Sequence, residues 1–244
     1  CEGLVGSEMC IRDRLMACNI TLPKTIFAHG WWLMNDTKMS KSIGNVIKPL
    51  DLADKYGSDA LRYYLMRNMV LGQDSSFTIS SFNKRYNADL ANDYGNLVNR
   101  IFILISKNFN NMIPMKGKLD LIDRQLINNV EKSRDLALEN YNKLKIHDGI
   151  ENSISIFRLI NKFLEDKAPW KTIKKDKKLA GSTIYLSAEA LRIGTILLYP
   201  VIPEKSKLIL DSIESSHLDK ITFGELKENL TIKIIKNIFP RIEN

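Results

Sequence analysis

The chain has 244 residues, 44% hydrophobic and 26% charged, the balance of a soluble globular protein long enough to bury a core without disulfides or metals. No run of about 18 apolar residues occurs, which excludes a membrane-spanning helix. Lys and Arg number 36 against 28 Asp and Glu, a formal net charge of +8, and that balance favours a polyanionic partner.

Residues 1–14 stand apart. The first residue is Cys1 rather than methionine, which hints at a fragment, and residues 2–14 follow neither a helical nor a strand period. They read as a segment foreign to the rest of the chain. The three cysteines, Cys1, Cys10 and Cys18, form no C-x-x-C pair, so neither a zinc nor a redox motif is expected. Their odd number fits a reducing compartment, and no basic stretch leads into an apolar one as in a signal peptide. A cytoplasmic location is expected.

Residues 25–34 (TIFAHGWWLM) are predicted as a buried strand, followed by an Asn35-Asp36 turn and a polar loop over 38–44. Pro49 suits the first turn of a helix with Leu50, Ala53 and Tyr56 on one face and Gly57 at its end. Ser58 is placed to cap a second helix with Leu61, Tyr64, Leu65 and Met69 inward. Residues 72–77 break the pattern. From Ser81 onward Phe82, Tyr86, Leu90, Tyr94, Leu97, Ile101 and Leu104 recur at steps of three and four, one stripe of a long helix.

Further helices are predicted over about 123–145, from an N-cap at Asp148 to about 166, over 176–199 and over 204–212, with a β-branched stretch at 230–235. The fold class expected is mainly α: an incomplete α/β part over 15–78, then an antiparallel helix bundle over 79–244. One strand in some seventy residues cannot satisfy its own backbone, so the first part needs material N-terminal to it.

The chemistry concentrates in Lys38-Met39-Ser40-Lys41-Ser42, followed by Ile43-Gly44-Asn45. Two lysines three apart can put two ammonium groups on one polyphosphate, and small Ser40, Ser42 and Gly44 let backbone amides approach it. A donor aimed at charge that grows during displacement contributes roughly 3 kcal/mol. Taken alone, K-x-x-K reads as a solvated basic turn.

The whole string changes that reading. KMSKSIGN resembles the signature loop of the class I aminoacyl-tRNA synthetases. With IFAHGWW before it, YGSDALRYY and GQDSSF after it, and NADLANDYGNLVNR further on, the chain from about Leu15 to its end is similar to the bacterial-type methionyl-tRNA synthetases. The resemblance implies the C-terminal end of a class I, Rossmann-like catalytic domain with its KMSKS loop, then a helical anticodon-binding domain. The implied activity is ATP-dependent activation of methionine and its transfer to methionine tRNA, with Mg2+ arriving on the nucleotide. Lys41 would stabilise the phosphates as pyrophosphate leaves, Lys38 would assist, and Met39, Ser40 and Ser42 complete the ATP-binding loop.

Asn96, Arg100 and Trp170 match the positions that read the methionine anticodon in similar synthetases. Asn and Arg can read base edges, and an indole can stack on an unpaired base. Without the family, Asn96 and Arg100 read as helix surface and Trp170 as core. The H-I-G-H motif, the methionine pocket and the zinc knuckle of the family have no counterpart in this sequence, so no metal site is expected and the fragment is expected to be inactive alone. The alternative is a non-catalytic tRNA-binding module, for which an intact KMSKS loop has no use. Oligomeric state is not legible.

The remaining candidates are weaker. His29 reads as a packed or hydrogen-bonded histidine, one of Trp31 and Trp32 fills the core, and His147 and His217 show no evident partners. Lys162, Lys167, Lys171, Lys174, Lys175, Lys177 and Lys178 form a solvated face that, flanking Trp170, could meet RNA phosphates.

Overall fold

The computed structural model describes residues 7–34, 37, 38, 47–215, 217–235 and 237–243. It is mostly helical, with one small sheet near the start. Among the described residues no helix is long and apolar enough to cross a membrane. The first helix, α1 (Ser7–Ala17), carries no apolar stripe, as its missing periodicity implies, and Ile11 and Met16 lie exposed on it.

The strand expected over 25–34 is a correction. Only β1 (Trp32–Met34) is a strand, and Ile26 and Phe27 before it are exposed. Its neighbours here are β2 (Thr37–Lys38), antiparallel, and β3 (Ser75–Phe77), parallel, in the order β2-β1-β3. Trp31 still joins the edge of the sheet, its carbonyl accepting from the Ser75 N–H, but among the described residues no ladder extends to residues 25–30, so that part of the apolar run has no sheet to enter. β3 reads as a break in pattern in the sequence because three residues are too few to show alternation. Gly30 lies where a Cβ would collide with the Gln73 carbonyl, so the backbone approach beside β1 requires glycine there. Trp32 packs on Tyr64 and Phe77 while Trp31 stays exposed.

α2 (Pro49–Tyr56) begins at its proline and ends at Gly57, whose φ of 90° suits glycine. Its buried apolar residue is Leu52, whereas Leu50 is exposed. In a two-turn helix the inward face is set by the neighbour, here α3 (Ser58–Asn68), rather than by its own period. α3 turns Tyr63, Tyr64, Ala60 and Leu61 inward. Asp59 accepts from the backbone N–H groups of Glu204 and Lys205 (3.4 and 2.7 Å), and Arg62 donates to the carbonyls of Val201 and Pro200 (2.9 and 2.8 Å). This corner locks the sheet-bearing part onto the bundle. Burial pushes the Asp59 carboxyl up despite those two donors.

The long helix expected after Ser81 has three parts. Thr78 caps α4 (Ile79–Arg85) by accepting from the Ser81 N–H. A π-helical segment (Tyr86–Gly95) follows, then α5 (Asn96–Phe109). Four-residue steps from Phe82 through Tyr86 and Leu90 to Tyr94 drift round an α-helix by about 40° each. A wider turn counters that drift, and all four side chains are buried.

The bundle proper is α6 (Leu121–Asn142), α7 (Ile146–Lys167) and α9 (Lys177–Leu198), packed pairwise. α8 (Pro169–Thr172) and α10 (Pro203–Ser212) flank α9. Asp120 and Asp123 form a capping box on α6, and Asp176 caps α9 through the N–H groups of Lys178 and Leu179. α7 starts at Ile146 without a side-chain cap, two residues before the expected Asp148. Every residue of α9 from 180 to 198 is buried, its polar Ser182, Thr183, Ser187, Glu189, Arg192 and Thr195 included, so the helix shows no solvent-facing polar stripe. Within it Glu189 and Arg192, 0% and 1% exposed, pair with each other and bind the tail: Glu189 accepts from the N–H groups of Gly224, Glu225 and Leu226, and Arg192 donates to the carbonyls of Lys220 and Thr222.

Candidate functional site

The predicted site residues fall in two places. Met39, Ser40, Lys41 and Ser42 lie outside the described residues, as does the side chain of Lys38, whose backbone pairs with Leu33 in β2. Asn96, Arg100 and Trp170 are described. Asn96 opens α5, where the π-helical segment returns to α-helix, and Arg100 follows one turn later. Asn96 is exposed and makes one long bond, to Asn92 Oδ1 (3.5 Å). Arg100 is half-buried, and among the described residues no hydrogen bond or ion pair holds its guanidinium.

Trp170 lies on α8, a single turn made by reversing the chain at Ala168. Ala168 adopts φ 40°, ψ 58°, the left-handed region, which costs an alanine about 1–2 kcal/mol. The reversal is held by the Lys171 and Thr172 N–H groups on the Ala168 carbonyl (2.9 and 3.1 Å) and by the Thr172 hydroxyl on the Lys167 carbonyl (3.2 Å). Pro169 is buried as the anchor, and Trp170 is left 40% exposed. An indole held at that exposure on a short, bonded turn is available for stacking.

Two crossings fix how this turn relates to α5. Asn161 on α7 donates to the Asp93 carbonyl (3.0 Å), just before α5. Sixteen residues later along each path, the Lys177 ammonium lies 5.3 Å from the centre of the Phe109 ring, at the end of α5. These crossings bracket both Trp170 and the Asn96–Arg100 turn, and α5 and α8 both pack on α9. No direct hydrogen bond or ring contact joins Trp170 to either residue among the described ones.

The lysine face divides. Lys162, Lys171, Lys174, Lys175, Lys177 and Lys178 are exposed. Lys167 leaves the group as a correction: its ammonium sits between Asp120 and Asp123 at 2.6 and 2.8 Å, with its side chain 10% exposed. Burial alone would lower its pKa, but the two carboxylates raise it overall, and Asp120 is held down first by the Lys167 hydrogen bond.

His147, read as partnerless, is also corrected. Its Nδ1 lies 2.6 Å from the Arg67 carbonyl, and the Arg67 guanidinium lies against the same ring. His29 lies on the surface with Nδ1 2.7 Å from the Gly30 carbonyl, and His217 is exposed. His29 and His147 both border an open groove of about 940 Å³ walled by Phe27, Leu65, Met69 and Val70. Among the described residues no three His, Cys, Asp or Glu side chains are grouped to hold a metal ion.

Sequence reasoning missed the buried charge cluster in the segment that leads to Asn96. Asp89 is 2% exposed and accepts from the Tyr63 hydroxyl (2.7 Å), with Arg85 and Arg158 each at 3.4 Å. The signal was present: a carboxylate beside Leu90 in an apolar stretch needs cations.

With this geometry in hand, the comparisons with known proteins are specific. Residues 11–102 match the family model of class I tRNA synthetases (M), and residues 113–243 match that of the anticodon binding domain of methionyl tRNA ligase. The chain belongs to the methionyl-tRNA synthetase family of class I.

A methionine–tRNA ligase of Bacillus subtilis is 40% identical, over 94% of this chain and 36% of that protein. One of Caldanaerobacter subterraneus is 36% identical, over 94% and 37%. The solved Mycobacterium tuberculosis methionyl-tRNA synthetase in complex with methionyl-adenylate superposes with a TM-score of 0.85 at 30% identity, over 94% of this chain and 47% of that one. The chain thus spans a little over a third of the length of these curated relatives.

Proposed function

We propose that this chain is the part of a methionine–tRNA ligase that carries the KMSKS loop and reads the tRNA anticodon. Residues 15–78 form the end of the catalytic part and residues 79–244 the anticodon-binding bundle. In the whole enzyme ATP with its Mg2+ and methionine give methionyl-adenylate, and the methionyl group then passes to tRNA. The solved relative's methionyl-adenylate supports ATP as the substrate.

Lys41 holds the phosphates as charge grows on them, Lys38 assists, and Met39, Ser40 and Ser42 complete the loop around the nucleotide. The surface thiols of Cys10 and Cys18 are free, which supports a cytoplasmic enzyme. The 244-residue chain by itself is expected not to exchange pyrophosphate into ATP, because its sequence holds no H-I-G-H motif.

The observation that carries the anticodon role is the set of groups left available on one bundle: an indole 40% exposed on a braced turn, a guanidinium with no hydrogen bond or ion pair among the described residues and an exposed asparagine one turn from it. Asn96 and Arg100 take base edges, Trp170 stacks on an unpaired base, and the neighbouring lysines meet phosphates. Trp170→Ala tests this. Loss of stacking should weaken binding to tRNA bearing the methionine anticodon by about 1–3 kcal/mol, roughly 5- to 150-fold in Kd, with the melting temperature nearly unchanged. Unfolding would mean that Trp170 is core, and normal discrimination against an anticodon-swapped tRNA in a folded variant would refute the role.

A further inference from the structure

The helical path into α5 does not arrive as an α-helix. From Tyr86 to Gly95 it is π-helical, and the Asn96 N–H reaches back five residues to the Ala91 carbonyl. π-Helical runs are rare and occur mostly as single turns, so ten residues of one must be held by their surroundings. Each residue of such a segment turns the helix less than in an α-helix. The direction in which Asn96 and Arg100 leave the bundle therefore depends on the segment keeping its form.

Arg158 on α7 supplies much of that hold. Its Nε donates to Asp93 Oδ2 at 2.7 Å, one η-nitrogen faces Asp89 Oδ1 at 3.4 Å, and the other donates to Glu151 Oε1 at 2.6 Å. One turn further along α7, Asn161 takes the Asp93 carbonyl at 3.0 Å. α7 thus grips the residue three before Asn96 by both its side chain and its backbone. Glu151 also pairs with Arg67 of α3, so the same grip is tied to the sheet-bearing part. On another side Asn87 exchanges two bonds with the backbone of Ile242, both 2.9 Å.

We propose that Arg158 is a positioning residue for anticodon reading: by bridging Asp89 and Asp93 it keeps the segment before α5 π-helical and so sets the direction in which Asn96 and Arg100 face the RNA. The inference rests on the anticodon role proposed for those two residues. Arg158 touches no base itself. Lysine cannot replace it, since a single ammonium does not span three carboxylates in a fixed fork.

The test uses the full 244-residue chain with tRNA bearing the methionine anticodon and an anticodon-swapped tRNA. Arg158→Gln should lower the ratio of the two affinities about tenfold through the cognate tRNA, leaving binding of the swapped tRNA and its salt dependence unchanged. Combined with Asn96→Ala it should add little beyond Asn96→Ala alone. Equal weakening towards both tRNAs would make Arg158 merely structural and overturn the proposal, as would normal discrimination by Arg158→Gln where Asn96→Ala has lost it. If Asn96→Ala itself discriminates normally, the anticodon reading fails and this inference with it. Should Arg158→Gln not fold, Asn161→Ala removes one bond to Asp93 and leaves the ion pairs in place: a lowered ratio supports the grip, and an unchanged ratio refutes it.

Discussion

Glu189→Gln is the sharpest test of how the bundle holds its tail. The two Glu189 oxygens accept from Arg192 Nε and Nη2 at 2.7 and 2.8 Å, and from the N–H groups of Gly224, Glu225 and Leu226 at 2.6, 2.9 and 3.2 Å. Glutamine keeps one acceptor oxygen and turns an NH2 group towards donors. It also leaves the Arg192 guanidinium, 1% exposed, without its counter-charge. Breaking a buried pair in this way costs roughly 3–5 kcal/mol.

For a chain of this length each kcal/mol moves the midpoint by about 2–4 °C, so the melting temperature should fall by roughly 6–20 °C. Circular dichroism on heating reads the midpoint, and hydrogen exchange reads the amides of Gly224, Glu225 and Leu226, which should lose protection ahead of those of α9. Lys207→Ala, at the exposed Lys207–Asp211 pair, serves as the control and should leave the midpoint where it is. A fall of under about 2 °C for Glu189→Gln, with the tail amides still protected, would refute the reasoning.

In a full-length enzyme carrying this loop, Lys41→Ala should lower the adenylation rate far more than it weakens ATP binding, and Lys41→Arg should also be impaired. Pyrophosphate exchange measures this, and normal kcat with only a raised KM for ATP would contradict the role. Lys171→Ala and Lys174→Ala should weaken binding to all tRNAs alike and each reduce the slope of log K against log salt by about 1. Lys167→Ala should instead lower stability, since its ammonium is engaged by Asp120 and Asp123, and a phosphate-like salt effect there would reverse that assignment. The acid limb of stability should follow Glu151 and Asp120. Burial raises the Glu151 pKa, but Arg158 and Arg67 outweigh it and hold it below the usual range, while Asp120 is held down by Lys167. A depressed folded-state pKa gives stability that is complete above the unfolded value and lost as pH falls through the folded one. Melting temperature should therefore drop between about pH 5 and about pH 3, less steeply in Glu151→Gln, and an identical slope in the variant would refute this.

Much of this protein is recorded locally along its chain. Asp120 and Asp176 cap helices because a short carboxylate ahead of an apolar period has a local target in the next turn's N–H groups. Pro49 and Gly57 bound α2 for equally local reasons. The KMSKSIGN string and NADLANDYGNLVNR carry the family, because the residues proposed to meet phosphate and RNA there are contiguous or one turn apart.

What the tertiary structure alone decided is which distant partner each polar group finds. Asp89 and Asp93 find their cation in Arg158, some 65 residues later in the chain. Lys167 reads as one more basic residue until the start of α6 arrives beside it, and His147 reads as partnerless until α3 brings Arg67. The π-helical form was hidden for a related reason: an apolar side chain every four residues fits a hydrogen bond to the fourth or the fifth preceding carbonyl. The choice between them falls to the packing of α7 and the tail around the segment. Residues 25–30 show the converse case, since a run apolar enough for a buried strand becomes one only where a neighbouring strand completes its ladder.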